Sequence, residues 1–148
     1  MSTLSSTRTL RLATELSDDR GLLDTSVVIA LGEIDPDQIP EEAAISTLTL
    51  AELTVGPLAA SDDIERARRE RRLQIFEAGV ETLFFDSRCA RAHSQVYAAV
   101  TAAGRRARGA RIVDLMIAAT ALANELPLYA RNAKDLRGLE DLIEIVVC

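Results

Sequence analysis

The stretch Gly21-Leu22-Leu23-Asp24-Thr25-Ser26-Val27-Val28-Ile29 is a short apolar run, then an acid and two hydroxyls, then a second apolar run. Apolar residues without alternation, bounded by turn-formers, suit a strand buried on both faces. Gly21-Leu22-Leu23-Asp24-Thr25 is therefore expected to be a central strand of a parallel sheet. Asp24 then stands at its carboxyl end, where open α/β sheets place their ligand crevice.

Outward from this stretch, residues 26–32 read as a short helix, and residues 35–40, with Pro36 and Pro40, as a loop. Ala43-Ala44-Ile45-Ser46-Thr47 predicts a second buried strand, followed by an apolar helix to Val55 that Gly56-Pro57 interrupts. Ser61-Asp62-Asp63-Ile64-Glu65 supplies a cap residue and first-turn acids for a long, arginine-rich, exposed helix ending at Gly79. Residues 81–85 form a third strand, and Asp86-Ser87 opens a helix reaching about Ala103. Residues 104–109 make a basic loop. Residues 112–124 are apolar all the way round, as in a helix buried on most faces, and residues 127–130 and 142–147 are the fourth and fifth strands. Strands separated by helices at this spacing predict an α/β fold, a mostly parallel sheet with helices on both faces. The chain divides into a leader, residues 1–20, and one domain, residues 21–148. The leader is read either as flexible or as an amphipathic helix through Leu4, Leu10, Leu12 and Leu16.

A chain of 148 residues is long enough for one real core. No apolar run approaches the roughly 20 residues that span a bilayer, and the first twenty residues lack the apolar stretch of a secretory signal. Two cysteines, Cys89 and Cys148, give neither a disulfide framework nor a thiolate metal site, which suits a reducing cytoplasm. One histidine, His93, excludes mechanisms that need a histidine pair or a His-rich zinc site within one chain. Carboxylates must carry any chemistry. A net charge of −6 opposes indiscriminate binding to nucleic acid, and an aromatic content of 3% opposes a base-stacking platform.

Three of the 23 acids stand apart from the solvated majority. Asp24 is the only charge between Gly21 and Gly32, Glu52 the only one between Ala43 and Ala60, and Asp114 the only one between Ile112 and Asn124. Each lies in an apolar run that should pack inward. An unpaired carboxylate in a core costs several kcal/mol or takes up a proton. A shared Mg2+ or Mn2+ would satisfy all three oxygen ligands directly, whereas an arginine partner or a helix-capping role would have to be found for each acid separately. Asp135 follows the fourth strand among Arg131, Lys134 and Arg137. It reads equally as a solvated loop acid or as a fourth member, and it joins the others if the first and fourth strands are neighbours.

Here the sequence resembles the PIN-domain proteins, specifically the VapC toxins of bacterial VapBC toxin–antitoxin systems, over residues 22–147. Leu23-Asp24-Thr25-Ser26-Val27-Val28-Ile29 is similar to the family's opening strand and first metal-binding Asp. Leu50-Ala51-Glu52-Leu53 resembles the segment carrying the second acid, and Asp114-Leu115-Met116-Ile117-Ala118-Ala119-Thr120-Ala121 the third acid heading a small-residue helix. The family's last acidic motif has a hydroxyl before its Asn and an aromatic after its Asp. Ala130-Arg131-Asn132-Ala133-Lys134-Asp135-Leu136 keeps Asn132 and Asp135 but lacks both. The resemblance implies a five-stranded parallel sheet in the order 3-2-1-4-5 and endoribonuclease activity dependent on Mg2+, for which Mn2+ can substitute. It further implies inhibition by a VapB-like antitoxin, frequent homodimers, and structured RNA substrates such as transfer or ribosomal RNA.

Asp24, Glu52, Asp114 and Asp135 are thus the expected metal ligands and catalytic residues of such an enzyme. Thr25 and Ser26 could orient Asp24 or cap a helix, and Asn132 would support Asp135. Arg105, Arg106, Arg108 and Arg111, immediately before Asp114, are candidates to guide the RNA backbone. Arg66, Arg68, Arg69, Arg71 and Arg72 alternate with acids and read as a salt-bridged helix face. An aspartyl phosphatase would want a second Asp where Ser26 stands, and a phospho-receiver domain an acidic pair beside the first strand and a lysine near the last ones; neither pattern is complete. The non-enzymatic alternative is a PIN-like module that only binds protein partners.

Overall fold

The structure is a computed structural model and describes residues 19–148; of the expected leader, residues 1–20, the first eighteen lie outside the described residues. Five strands, β1 (Arg20–Leu23), β2 (Glu42–Ser46), β3 (Glu81–Leu83), β4 (Leu128–Ala130) and β5 (Ile145–Val147), form one parallel sheet in the order β3-β2-β1-β4-β5. This is the expected order. β1 begins inside the expected leader: Arg20 pairs in register with Glu42, and its guanidinium bridges Glu42 at 3.3 Å and Glu81 at 3.5 Å across the three strands.

Helices α1 (Thr25–Ile29), α2 (Thr47–Val55), α3 (Asp63–Gly79), α4 (Ser87–Ala102) and α5 (Ala110–Ala123) connect the strands. Side chains of a strand alternate between faces, and Leu22 and Leu23 divide accordingly. Leu22, Ala44, Leu128 and Ala130 face Val96 and Val100 of α4 and Leu115 and Ala118 of α5. Leu23 and Ile45 face the opposite way, onto Val27 and Val28 of α1, Leu53 of α2 and Phe76 of α3. Two cores, one per sheet face, explain why β1 is apolar without alternation. Several helices start where expected because carboxylates or hydroxyls take up orphan amides: Asp62 accepts from Glu65, Asp86 from Cys89 and Ser46 from Leu48.

The differences are local. Short 3-10 turns occupy Leu31–Glu33 and Pro36–Gln38, where a continued helix and a plain loop were expected. β3 and β5 are three residues each, shorter than their apolar runs, because Phe84 and Leu142 lie past the end of strand pairing. At Gly21 an added Cβ would come within 2.4 Å of the Tyr129 ring and 3.0 Å of Pro40. A side chain there would have to push the Tyr129 ring aside.

Candidate metal centre

Asp24 follows the last residue of β1 and caps α1. Its amide donates to the Tyr129 carbonyl at 2.9 Å, which stitches it to β4 at the point where the strand order reverses. One carboxylate oxygen accepts from the Thr25 amide at 2.9 Å and the other from the Ser26 hydroxyl at 2.8 Å. Burial pushes the Asp24 carboxyl above its ordinary range, the Ser26 and Thr25 bonds oppose that, and the charges of Glu52 and Asp135 add to the rise. Ser26 thus orients the acid. Thr25 contributes its amide, while its hydroxyl turns to Glu52 at 2.8 Å and stands 3.0 Å from the buried Thr49 hydroxyl.

Asp114 lies one turn into α5, half-buried, with its carboxyl pushed up to about 6. Burial is the largest cause, followed by the negative charges of Asp24, Glu52 and Asp135, with Arg111 pulling weakly the other way. Asp135 is exposed on the 3-10 turn Ala133–Leu136, which Asn132 caps by accepting from the Lys134 amide at 3.0 Å, and Leu136 anchors that turn in the core. The four acids singled out in the sequence therefore lie in one electrostatic field around the switch point between β1 and β4.

Glu52 departs from expectation. It is exposed, not packed inward, because α2 buries Thr49 and Leu53 while its outer side, including Val55 at 56% exposure, faces solvent. The uncharged run around Glu52 reflects an exposed apolar surface that continues to Leu58, 83% exposed, and Ile64 at the start of α3. Asp24 and Asp114 are thus half-buried, while Glu52 is exposed.

None of the ion pairs among the described residues engages these four acids. Nor do any three acidic, histidine or cysteine side chains among the described residues close into a ready-made ion cage. The donor set itself suits a hard divalent cation, being all carboxylate with neither imidazole nor thiolate beside it. Burial and, behind it, mutual repulsion raise the carboxyls of Asp24 and Asp114, and such an ion would offset both.

The basic residues ahead of Asp114 divide. Arg105 donates to the Lys134 carbonyl, tying the 104–109 loop to the turn that carries Asp135. Arg106 and Arg108 are exposed and Arg111 is half-buried beside Asp114. A cavity of about 260 Å3 opens beside Glu52, lined by Thr25 and Glu52 together with Arg69 and Arg72 of α3. Thr49 is a site residue that the sequence did not single out. Its signal was present: a hydroxyl in an apolar run, three residues before Glu52 and so its neighbour across one helical turn.

The family model for the PIN domain matches residues 21–140. The chain belongs to the PIN-domain family. Within it, the chain is 40% identical over 115 residues to Ribonuclease VapC5 of Mycobacterium tuberculosis strain H37Rv, a match spanning 76% of this chain and 82% of that one. It is 37% identical over 103 residues to Ribonuclease VapC8 of strain CDC 1551, covering 68% of this chain and 89% of the relative. A crystal structure of VapBC-5 from M. tuberculosis, a member of the VapBC family of toxin–antitoxin systems, superposes with a TM-score of 0.73 at 36% identity, over 88% of this PIN chain and 99% of that one. VapBC2 of Rickettsia felis, bound to a DNA fragment from its promoter, shares the fold at a TM-score of 0.66 and 20% identity, over 85% and 96% of the two chains.

Proposed function

We propose that this PIN-domain chain is the toxin of a toxin–antitoxin pair, a ribonuclease that cuts structured cellular RNA, transfer or ribosomal, using Mg2+ or Mn2+. The observation that carries this reading is the gathering of Asp24, Glu52, Asp114 and Asp135 around the β1/β4 switch point, with none of them in an ion pair among the described residues. The ribonuclease names of the relatives and the toxin–antitoxin complexes among the structural neighbours support it.

In this reading Asp24 and Asp114 are the principal metal ligands, with Glu52 and Asp135 completing the set. Bound there, a divalent cation supplies Lewis-acid polarisation of the scissile phosphodiester and of the attacking water. The chain's own residues do the positioning. Ser26 and the Thr25 amide fix both oxygens of Asp24, and the Thr25 hydroxyl, itself bonded to Thr49, holds Glu52. The Asn132-capped turn presents Asp135. Arg111 stands close enough to Asp114 to meet a phosphate that reaches it.

The exposed Val55, Leu58 and Ile64 favour a protein partner, which in a toxin is a small VapB-like antitoxin. Among the described residues no helix is long and apolar enough to cross a membrane. The test is cleavage of purified transfer and ribosomal RNA by the full chain with Mg2+ or Mn2+ and with EDTA, paired with expression in cells with and without the neighbouring gene's product. Metal-dependent cleavage and growth arrest relieved by that product are expected. A chain that gains no thermal stability from Mn2+ and cuts no RNA is instead a binding module.

A further inference from the structure

The long helix α3 was expected to be a face of internal salt bridges, and half of it is. Arg66 pairs with Asp63 at 3.1 Å, and Glu65 receives both Arg68 at 3.3 Å and Arg69 at 3.0 Å. Arg71 and Arg72 enter no ion pair among the described residues. Arg72 makes one long bond, 3.4 Å, to the Ile29 carbonyl at the end of α1, which leaves most of its donors uncommitted.

Their position is what gives these two arginines a role. Arg72 lines the cavity that Thr25 and Glu52 also line, and it lines a second cavity of about 250 Å3 that Arg71 borders. The two cavities share Ile29 and Arg72, so they lie side by side, the second farther along α3 from Glu52 than the first. A strand of RNA approaching four carboxylates in a chain of net charge −6 meets repulsion, and it needs fixed cations near the acids to hold it. Guanidinium groups suit backbone phosphates because their planar donor fork grips two oxygens at once.

We propose that Arg71 and Arg72 bind the RNA backbone on the α3 side of the scissile phosphate, making this face a substrate-positioning track distinct from the 104–109 loop. The proposal rests on the ribonuclease reading of the carboxylate site. RNA is favoured over an acidic protein segment because the first cavity is lined by Thr25 and Glu52, where the strand to be cut must lie.

The test measures binding of a short mixed-sequence single-stranded RNA to the full chain in Ca2+, which suppresses turnover, at several salt concentrations. The double variant Arg71→Ala/Arg72→Ala is expected to lower the salt slope of log affinity by about 0.7 for each phosphate left without its arginine. Arg72→Lys should keep its share of the slope while losing affinity with its fork geometry, and the salt-bridged Arg66→Ala should match the wild type. All three positions lie on an exposed or half-exposed helix face, so the variants are expected to fold. A double variant with the wild-type slope overturns the track. So does a double variant whose only defect is weaker binding of the co-expressed antitoxin, because the face then belongs to that protein. If the wild-type chain itself neither binds nor cleaves RNA, the ribonuclease reading fails first and takes this inference with it.

Discussion

The Thr25 hydroxyl donates to Glu52 Oε1 at 2.8 Å across 27 residues of chain and stands 3.0 Å from the Thr49 hydroxyl. A threonine hydroxyl has one proton, so with Thr25 committed to the carboxylate, Thr49 must donate to Thr25. The chain of bonds runs from a buried hydroxyl outward to an exposed acid and holds in place a candidate ligand that has no packed environment of its own.

Thr25→Val should therefore lower cleavage by about 10- to 100-fold, the usual cost of losing a partner that orients a metal ligand. It should cost about 1 kcal/mol of stability as well. Thr25→Ser should restore most of the activity, and rates and melting curves of the two variants check this.

Asp24→Asn and Asp114→Asn should each reduce RNA cleavage by more than about 100-fold, since even supporting partners of metal ligands cost that much. Both variants should melt at or above the wild-type temperature in EDTA, because each removes a charge from a mutually repelling group. Full activity in either variant would end the metal-site assignment.

The Asp114 carboxyl, at about 6 against an ordinary 3.8, binds its proton more tightly in the folded chain than in the unfolded one. Its stabilising contribution is fully present below the ordinary value and is lost as pH rises through about 6, and Asp24 shifts in the same direction. In EDTA the melting temperature of wild type should fall relative to Asp114→Asn across that window and run parallel above it. Added Mn2+ should stabilise wild type more as the same window is crossed, since the metal needs the deprotonated acid. A constant difference between the two proteins at all pH values would contradict the prediction.

Asp135→Asn should give a partial loss of cleavage, smaller than for Asp24 or Asp114, because its side chain is exposed and its turn is held independently by Asn132 and Leu136. Arg105→Ala should resemble it, since Arg105 is bonded to the Lys134 carbonyl beside that acid. Activity of Arg105→Ala near wild type would show that this bond does not position Asp135.

Arg106→Ala and Arg108→Ala should each reduce the salt slope of RNA binding by about 0.7 with little change in cleavage position. Arg111→Ala should lower turnover more than binding, as expected for an interaction made chiefly in the transition state. Unchanged slopes and rates would leave residues 104–109 as a solvated loop.

The sheet order was legible because the family motifs fell on the predicted strand ends, and Asp24 and Asp114 because their lack of charged neighbours coincided with real burial. Glu52 stood out for a reason that fails for it, since a gap in charge along a helix marks an apolar surface as readily as a core. Arg71 and Arg72 read as part of a salt-bridged face, yet neither pairs with an acid among the described residues. Which partners a cation meets, such as the Lys134 carbonyl for Arg105, depends on residues distant in sequence that no spacing rule reveals. Thr49 was passed over because a single hydroxyl among leucines reads as helix filler.

Leu22 and Leu23 fill opposite cores with side chains of the same kind, so within this pair hydrophobicity does not tell one register of β1 from the next. Gly21 does. Its hydrogen is all that the Tyr129 ring and Pro40 leave room for, so a slipped strand would drive a leucine into that gap. The placement of Asp24 at the switch point is thus proofread by the smallest side chain in the protein, and a methyl group added three residues upstream of the acid should blur its alignment without touching it.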